Sequence, residues 1–255
     1  MSSLVLTEIR GHVLVITINR PERRNAIDYH TALALEAAWD RLDADAGLRV
    51  AVLTGANGFF SAGADLKAAA SGSPGSTTER RGQFGTIQNP PQKPVLAAIE
   101  GDALGGGCEL ALACDLIIAS RSSKLGLPEC KRGVLAAAGG VIRLPHRIPF
   151  NVAMEMALTG TPQSAERLFA LGLINRLSEP GEALDTALEM AELIAGNAPL
   201  AVTGAKRVMS GALIASEAEA WTLQQPEWER VRHSEDFREG VAAFVEKRAP
   251  RWQGK

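Results

Sequence analysis

Cysteine is scarce in this 255-residue sequence: Cys108, Cys114 and Cys130 make an odd count with no Cys-x-x-Cys pair. All three lie in apolar segments, so free buried thiols in a reducing compartment are expected, not a disulfide framework. Histidine is sparse too. His12, His30, His146 and His233 are far apart and none forms His-x-x-x-His, which leaves no local zinc motif, although a site assembled in space stays open. No apolar run reaches the ~18 residues of a spanning helix, and the opening Met-Ser-Ser-Leu-Val-Leu-Thr-Glu is not a charged segment followed by an apolar one. A soluble cytoplasmic protein is therefore expected. Charge of either sign is not in excess: the formal net charge is -2 and the pI about 6.1. That balance gives no reason to expect nucleic acid or an anionic membrane as partner, and leaves room for a local basic cluster that holds one polyanionic small molecule.

What is present is enough apolar residue, 46%, to bury a sizeable core as one large domain or one domain with an appendage. Leu4–Ile9 and Val13–Ile18 are β-rich runs around Arg10-Gly11-His12 and read as a hairpin. A polar loop, Asn19–Ala26, follows. From about Tyr29 to Leu42 the positions Leu33, Leu35, Ala38, Trp39 and Leu42 keep helical spacing. Val50–Leu53, Val95–Ile99 and Leu116–Ala119 are continuous apolar runs, as in strands covered on both faces. Helices are expected over about Gly107–Ala113, Asn151–Leu158, Ser164–Ala170 and Glu182–Ala195. Beyond Asn197 no convincing strand occurs; Leu200–Leu213, Glu217–Arg232 and Ser234–Val245 read as helices. The expected organisation is a core over residues 1–197 and a helical region over 198–255. Ala68–Gly85, with Gly72, Gly75 and several Ser and Thr, reads as a surface loop or as a lid over a pocket.

Three stretches carry chemistry. In Phe59-Phe60-Ser61-Ala62-Gly63-Ala64-Asp65-Leu66-Lys67, small residues crowd the exit of a strand, Asp65 is a plausible helix N-cap, and such a turn exposes backbone N–H groups to a ligand. Taken alone it is also an ordinary tight turn. In Glu100–Leu110, Gly105-Gly106-Gly107 follow a buried strand and open a helix, whose unpaired N–H groups suit an anion. The pattern is neither Gly-x-Gly-x-x-Gly nor a Walker loop, so a developing oxyanion on a substrate carbonyl is the alternative to a phosphate. Glu109 sits in the first turn of that helix, where it favours the helix dipole. Its neighbours Cys108, Leu110 and Ala111 look buried, and a carboxylate in such company needs a partner or a job. The third stretch is Leu125–Gly133, where Pro128-Glu129 is also how helices often start.

Together these stretches resemble the crotonase (enoyl-CoA hydratase/isomerase) superfamily, in family order. Phe-Ser-Ala-Gly-Ala-Asp-Leu is similar to its first oxyanion-hole motif, Gly-Asp-Ala-Leu-Gly-Gly-Gly-Cys-Glu-Leu-Ala-Leu-Ala-Cys-Asp to its second, and Leu-Pro-Glu to its third. Leu158-Thr159-Gly160, Ala170–Asn175 and Phe244–Arg248 extend the likeness over nearly the whole chain. The resemblance implies an α/β crotonase-type spiral of repeated ββα units, with a helical C-terminal region that helps build a homotrimer or dimer of trimers. It implies an acyl-coenzyme A thioester as substrate, with no separate cofactor and no metal, because the oxyanion hole carries the charge. Backbone N–H groups of Ala64 and Gly106 would bind the thioester oxygen; losing one such donor typically costs about 3 kcal/mol of barrier. Glu109 would deprotonate the attacking water and Glu129 would protonate the α-carbon. Coenzyme A would lie along the backbone at Ala26, Ala62 and Ala64–Leu66, including Asp65 and Leu66, with Arg24 on a phosphate and Lys247 on the nucleotide of a neighbouring subunit. Ala136-Ala137-Ala138-Gly139-Gly140 departs from the Pro-Gly-Ala-Gly-Gly run of many hydratases, and is expected to reshape the acyl pocket near the second glutamate. The activity implied is hydration of an enoyl-CoA in fatty-acid or related acyl-CoA degradation. An enoyl-CoA isomerase, a specialised dehydratase and a non-catalytic acyl-CoA binding protein are the alternatives.

Overall fold

The computed structural model describes residues 3–65, 67 and 74–255. Strands β1 (Val5–Arg10) and β2 (Val13–Ile18) form the expected antiparallel hairpin. Helix α1 (Tyr29–Ala44) follows, capped at its start by the Asp28 carboxylate, which accepts from the Thr31 N–H. Then come β3 (Val50–Gly55), the two-residue strands β4 (Thr77–Thr78) and β5 (Gly82–Gln83), β6 (Val95–Ile99) and β7 (Ala103–Leu104). Helix α2 (Gly106–Ala113), β8 (Leu116–Ser120), β9 (Lys124–Gly126) and a 3-10 turn over Pro128–Arg132 complete the middle of the chain. Helices α3 (Gly140–Arg143) and α4 (Phe150–Thr159), β10 (Gln163–Ser164), α5 (Ala165–Ala170), β11 (Arg176–Ser178) and α6 (Ala183–Ala195) lead to the terminal helices α7 (Pro199–Ala212), α8 (Glu217–Arg232) and α9 (Glu235–Glu246).

The main sheet has six strands in the order β1-β2-β3-β6-β8-β11, parallel from β2 onward. Its central strands are covered on both faces, as continuous apolar runs require. Leu14, Ile16, Ala51, Leu53, Ala97 and Ile99 face one core with Leu35, Trp39 and Leu42 of α1. The alternate residues Val13, Val15, Val50, Val52, Leu96 and Ala98 face a second core with Ala187, Leu188 and Ala191 of α6. Neighbouring strands β3 and β6 each lead at their C-terminal ends into one of the first two chemical stretches, and the third, Leu125–Gly133, runs from β9 into the Pro128–Arg132 turn. A second sheet, β10-β9-β7, and a bridge between Ser61 and Ala103 tie the turns to one another.

Several expectations change. Cys108 and Cys114 are buried but Cys130 is exposed, because it lies on the 3-10 turn and not in a packed helix or strand. Leu33 is on the outer side of α1 and 38% exposed. Strand β11 was not expected; three residues are too few to show a period. Leu66, 68–70 and 71–73 lie outside the described residues, and with them the helix that Asp65 would cap. The described remainder of the 68–85 stretch is anchored: Arg80 pairs with Glu36 at 2.8 Å, and Arg81 with Asp43 at 2.8 Å. Among the described residues no helix is long and apolar enough to cross a membrane.

Candidate active site

A cleft of about 440 Å³ opens where the three turns meet, and it is lined by Ala64, Gly106, Glu109 and Glu129. Four of the residues expected to act together are therefore brought together. Ala62 and Arg24 line the same cleft, and the Ala62 N–H donates to the Arg24 carbonyl at 3.0 Å.

The backbone donors are set by close packing. A β-carbon added at Gly63 would lie 2.6 Å from the Gly106 nitrogen and Cα, and one added at Gly106 would lie 2.5 Å from Cζ of Phe84. Only glycine permits the two turns to touch. Gly105 stands before α2 with φ 57° and ψ -127°, a conformation closed to residues with a β-carbon, and so turns the first N–H groups of the helix toward the cleft. Ile27 donates to the Gly63 carbonyl at 2.7 Å and accepts from the Asp65 N–H at 2.9 Å. In such a parallel bridge the residue between, Ala64, points its own N–H the other way. Among the described residues no acceptor takes the Ala64 or Gly106 N–H. Phe84, buried under Gly106, holds φ 56°, a left-handed backbone that a bulky residue adopts only under constraint; its own N–H is fixed to the Ser76 carbonyl at 2.7 Å.

Glu109 is 3% exposed, and its Oε1 accepts from the Gly140 N–H at 2.9 Å. Burial pushes its pKa up to about 7; the N–H groups of Gly140 and Ala138 and the Arg143 guanidinium oppose that rise, and the Glu129 charge adds to it. Burial also raises Glu129, with Arg132 opposing. The Glu129 Oε2 is buried without a hydrogen-bond partner, a costly state that a substrate or water in the cleft would relieve. The Cys108 thiol is pushed up by burial and by both carboxylates, so it stays neutral and is no nucleophile. The Ala136–Gly140 run acts chiefly on Glu109, through the Gly140 N–H, and not only on the second glutamate as expected; Ala137 alone of its alanines lines the cleft.

Other expected positions stand apart. The Ala26 N–H and carbonyl are used inside the chain, by the Arg23 carbonyl at 3.1 Å and by the Arg20 guanidinium at 2.5 Å. The Asp65 carboxylate pairs with Arg20 at 3.0 Å. Leu66 is outside the described residues. Lys247 caps α9, exposed and away from the cleft of its own chain. Sequence reasoning missed Phe84, the Gly140 donor and Arg143. Arg143 donates to the Ile87 carbonyl at 2.6 Å, and its other terminal nitrogen is buried without a partner. The only signal for any of the three was the Gly139-Gly140 pair, since Phe84 sits in a stretch without a readable pattern.

Residues 8–255 match the family described as enoyl-CoA hydratase/isomerase. The chain is 51% identical to the enoyl-CoA hydratase EchA1 of Mycobacterium marinum, covering 99% of both chains, and its structure superposes with a TM-score of 0.96. It is 41% identical over 262 residues to a carnitinyl-CoA dehydratase of Proteus mirabilis, covering 100% of both. With the enoyl-CoA hydratase EchA19 of Mycobacterium tuberculosis it shares 38% over 257 residues, 98% of this chain and 96% of the other. The chain belongs to the enoyl-CoA hydratase/isomerase family, and its α/β architecture with terminal helices is the crotonase fold.

Proposed function

We propose that this protein is an enoyl-CoA hydratase, a hydro-lyase that reversibly adds water to a trans-2-enoyl-CoA. The observation that carries the reading is the pairing of a buried carboxylate, Glu109, and a half-buried one, Glu129, with the Ala64 and Gly106 N–H donors in one cleft. The thioester oxygen takes hydrogen bonds from both donors. Glu109 takes a proton from water, the oxygen of that water bonds to the β-carbon, and the alkene electrons move toward the thioester as an enolate. Two fixed donors stabilise that charge as it forms. Glu129 then gives its proton to the α-carbon. The proton taken by Glu109 then passes back to Glu129, so the product carries the elements of one water, both carboxylates return to their starting state and no other reactant is consumed. A Glu109 poised near neutrality suits a base that must also return its proton in the reverse direction.

An isomerase needs a single carboxylate to shuttle one proton, and a binding-only protein needs neither; the two acids on one cleft favour hydration over both. The coenzyme would lie along Ala26, Ala62 and Ala64–Leu66, with Arg24 near a phosphate and Lys247 reaching a neighbour's nucleotide. That contact belongs to a homotrimer or dimer of trimers in the cytoplasm, with residues 1–197 as core and 198–255 as the assembling region. A role in fatty-acid or related acyl-CoA degradation follows from the substrate. The test is the absorbance of the conjugated enoyl thioester: it should decay when butenoyl-CoA meets the enzyme and be restored from the 3-hydroxyacyl product. A protein that binds the thioester without consuming it refutes the reading.

A further inference from the structure

We infer that the acyl group taken here is apolar and longer than four carbons, and that its tail enters a second cavity behind Glu129. The inference rests on the reading of the cleft as an acyl-CoA site. The second cavity has a volume of about 330 Å³ and shares Glu129, Val134 and Leu135 with the first. Glu129, Val134 and Leu135 are therefore a wall common to both spaces, at the carboxylate placed opposite the α-carbon. In the inferred pose a chain attached at the β-carbon passes that wall, along the Pro128–Arg132 turn and onto Ala153, Met154 and Ala157 of α4. Apart from Glu129 and Cys130, every side chain lining this cavity is apolar. It has room for roughly ten water-sized groups, which suits a tail of about four to eight carbons beyond the reacting pair.

The chemistry of the walls separates this class from the quaternary ammonium of a carnitinyl group. Recognition of such a cation uses aromatic faces or carboxylates. The charged residues of the first cleft, besides Glu109 and Glu129, are Arg24 and Arg132, which repel a cation. Among the described residues, Phe84 packs its ring on Gly106 in the first cleft and Phe59 is the one other aromatic side chain there, and Phe150 is the single aromatic ring of the second cavity. An apolar tail instead gains by leaving water for these walls.

The experiment is calorimetric binding of butanoyl-, octanoyl- and carnitinyl-CoA to the assembled protein, with hydration of butenoyl- and octenoyl-CoA measured beside it. Wild type should bind octanoyl-CoA at least about tenfold tighter than butanoyl-CoA, since each buried methylene contributes. Ala157→Phe, which fills the cavity, should shrink that ratio to about threefold or less and leave butanoyl-CoA within about twofold, because a truncated tail never reaches the new ring. Met154→Ala, which widens it, should keep or raise the ratio, and guards against a filled variant that fails to fold. Equal affinities in wild type, as when a second copy of the chain plugs the cavity, overturn the inference. So does preference for carnitinyl-CoA, or loss of both saturated thioesters in equal measure in a folded Ala157→Phe. Length-dependent binding without any hydration would uphold the cavity and defeat the hydratase reading. Hydration of butenoyl-CoA with a flat length dependence would do the reverse.

Discussion

The strand-rich part of the chain and its last three helices are held by different forces. In the first, Trp39 is 1% exposed between α1 and the sheet, and whole strands are buried. In the second, α8 has no buried residue, and Trp221 and Trp228 are 62% and 46% exposed. What defines α8 is a capping box between Ser216 and Glu219 and the pairing of Glu227 with Arg207 at 2.6 Å and Arg230 at 2.9 Å. Lys206 of α7 reaches back to Asp115 at 2.7 Å. Burial specifies the core within one chain. Caps and ion pairs, each worth little at a surface, specify the helices while leaving apolar faces unspent. The contrast teaches that the two regions are specified by different means, with large apolar side chains such as Trp221 left exposed where caps and ion pairs do the specifying.

The largest effect sharpens that contrast directly. Trp39→Ala should cost about 3–5 kcal/mol in denaturant unfolding, and Trp228→Ala less than about 1 kcal/mol in the isolated chain. A Trp228→Ala cost that climbs with protein concentration, with light scattering at three or six times 27.0 kDa, would locate the missing contact between subunits. A second effect is confined to the core. Glu109→Gln and Glu129→Gln should each lower turnover by about 10² or more while the fold and thioester binding persist; near-normal hydration by either would remove that residue from the mechanism.

Smaller effects follow from protonation and from the surface. Wild-type hydration should fall as pH drops through about 7, where Glu109 takes up the proton that disables it as a base. Because the folded state holds that proton more tightly than the unfolded chain, Glu109 subtracts stability progressively as pH rises from about 4.5 to about 7. Glu109→Gln should therefore raise the Tm by a few degrees at pH 8 and by little at pH 5. Equal shifts at both pH values would contradict the burial argument. The smallest effect belongs to the helical region: Lys247→Ala should raise KM for the acyl-CoA several-fold at low salt with kcat nearly unchanged, and an unaltered KM would remove the lysine from coenzyme binding.

The same contrast explains what the sequence made legible. Several elements were readable to within one or two residues because burial marks the sequence: α1 and α6 carry a helical period, β2 and β6 are near-continuous apolar runs, and Ser216 and Ser234 mark where α8 and α9 begin. Short elements such as β9, β10 and β11 carry none. Within the site, Ala64, Gly106, Glu109 and Glu129 lie in contiguous motifs whose composition betrays them. Phe84, Gly140 and Arg143 act on those residues from distant parts of the chain, and a linear pattern does not encode which loop folds beneath which. Cys130 misled because its apolar neighbours Leu125 and Leu127 are buried while the turn carries the thiol outward.

The contact between Gly63 and Gly106 makes the spacing of the two donors a matter of hard-core repulsion. Two bare backbones in touch form a mechanical stop: thermal motion can part them but cannot bring them closer, so the gauge they set is one-sided and requires no side chain to maintain it. Walls elsewhere in the cleft can drift in size and chemistry without disturbing that gauge. The molecule thereby separates the dimension on which charge stabilisation depends from the dimensions that select the acyl group, and changes of substrate need not pass through loss of the chemistry.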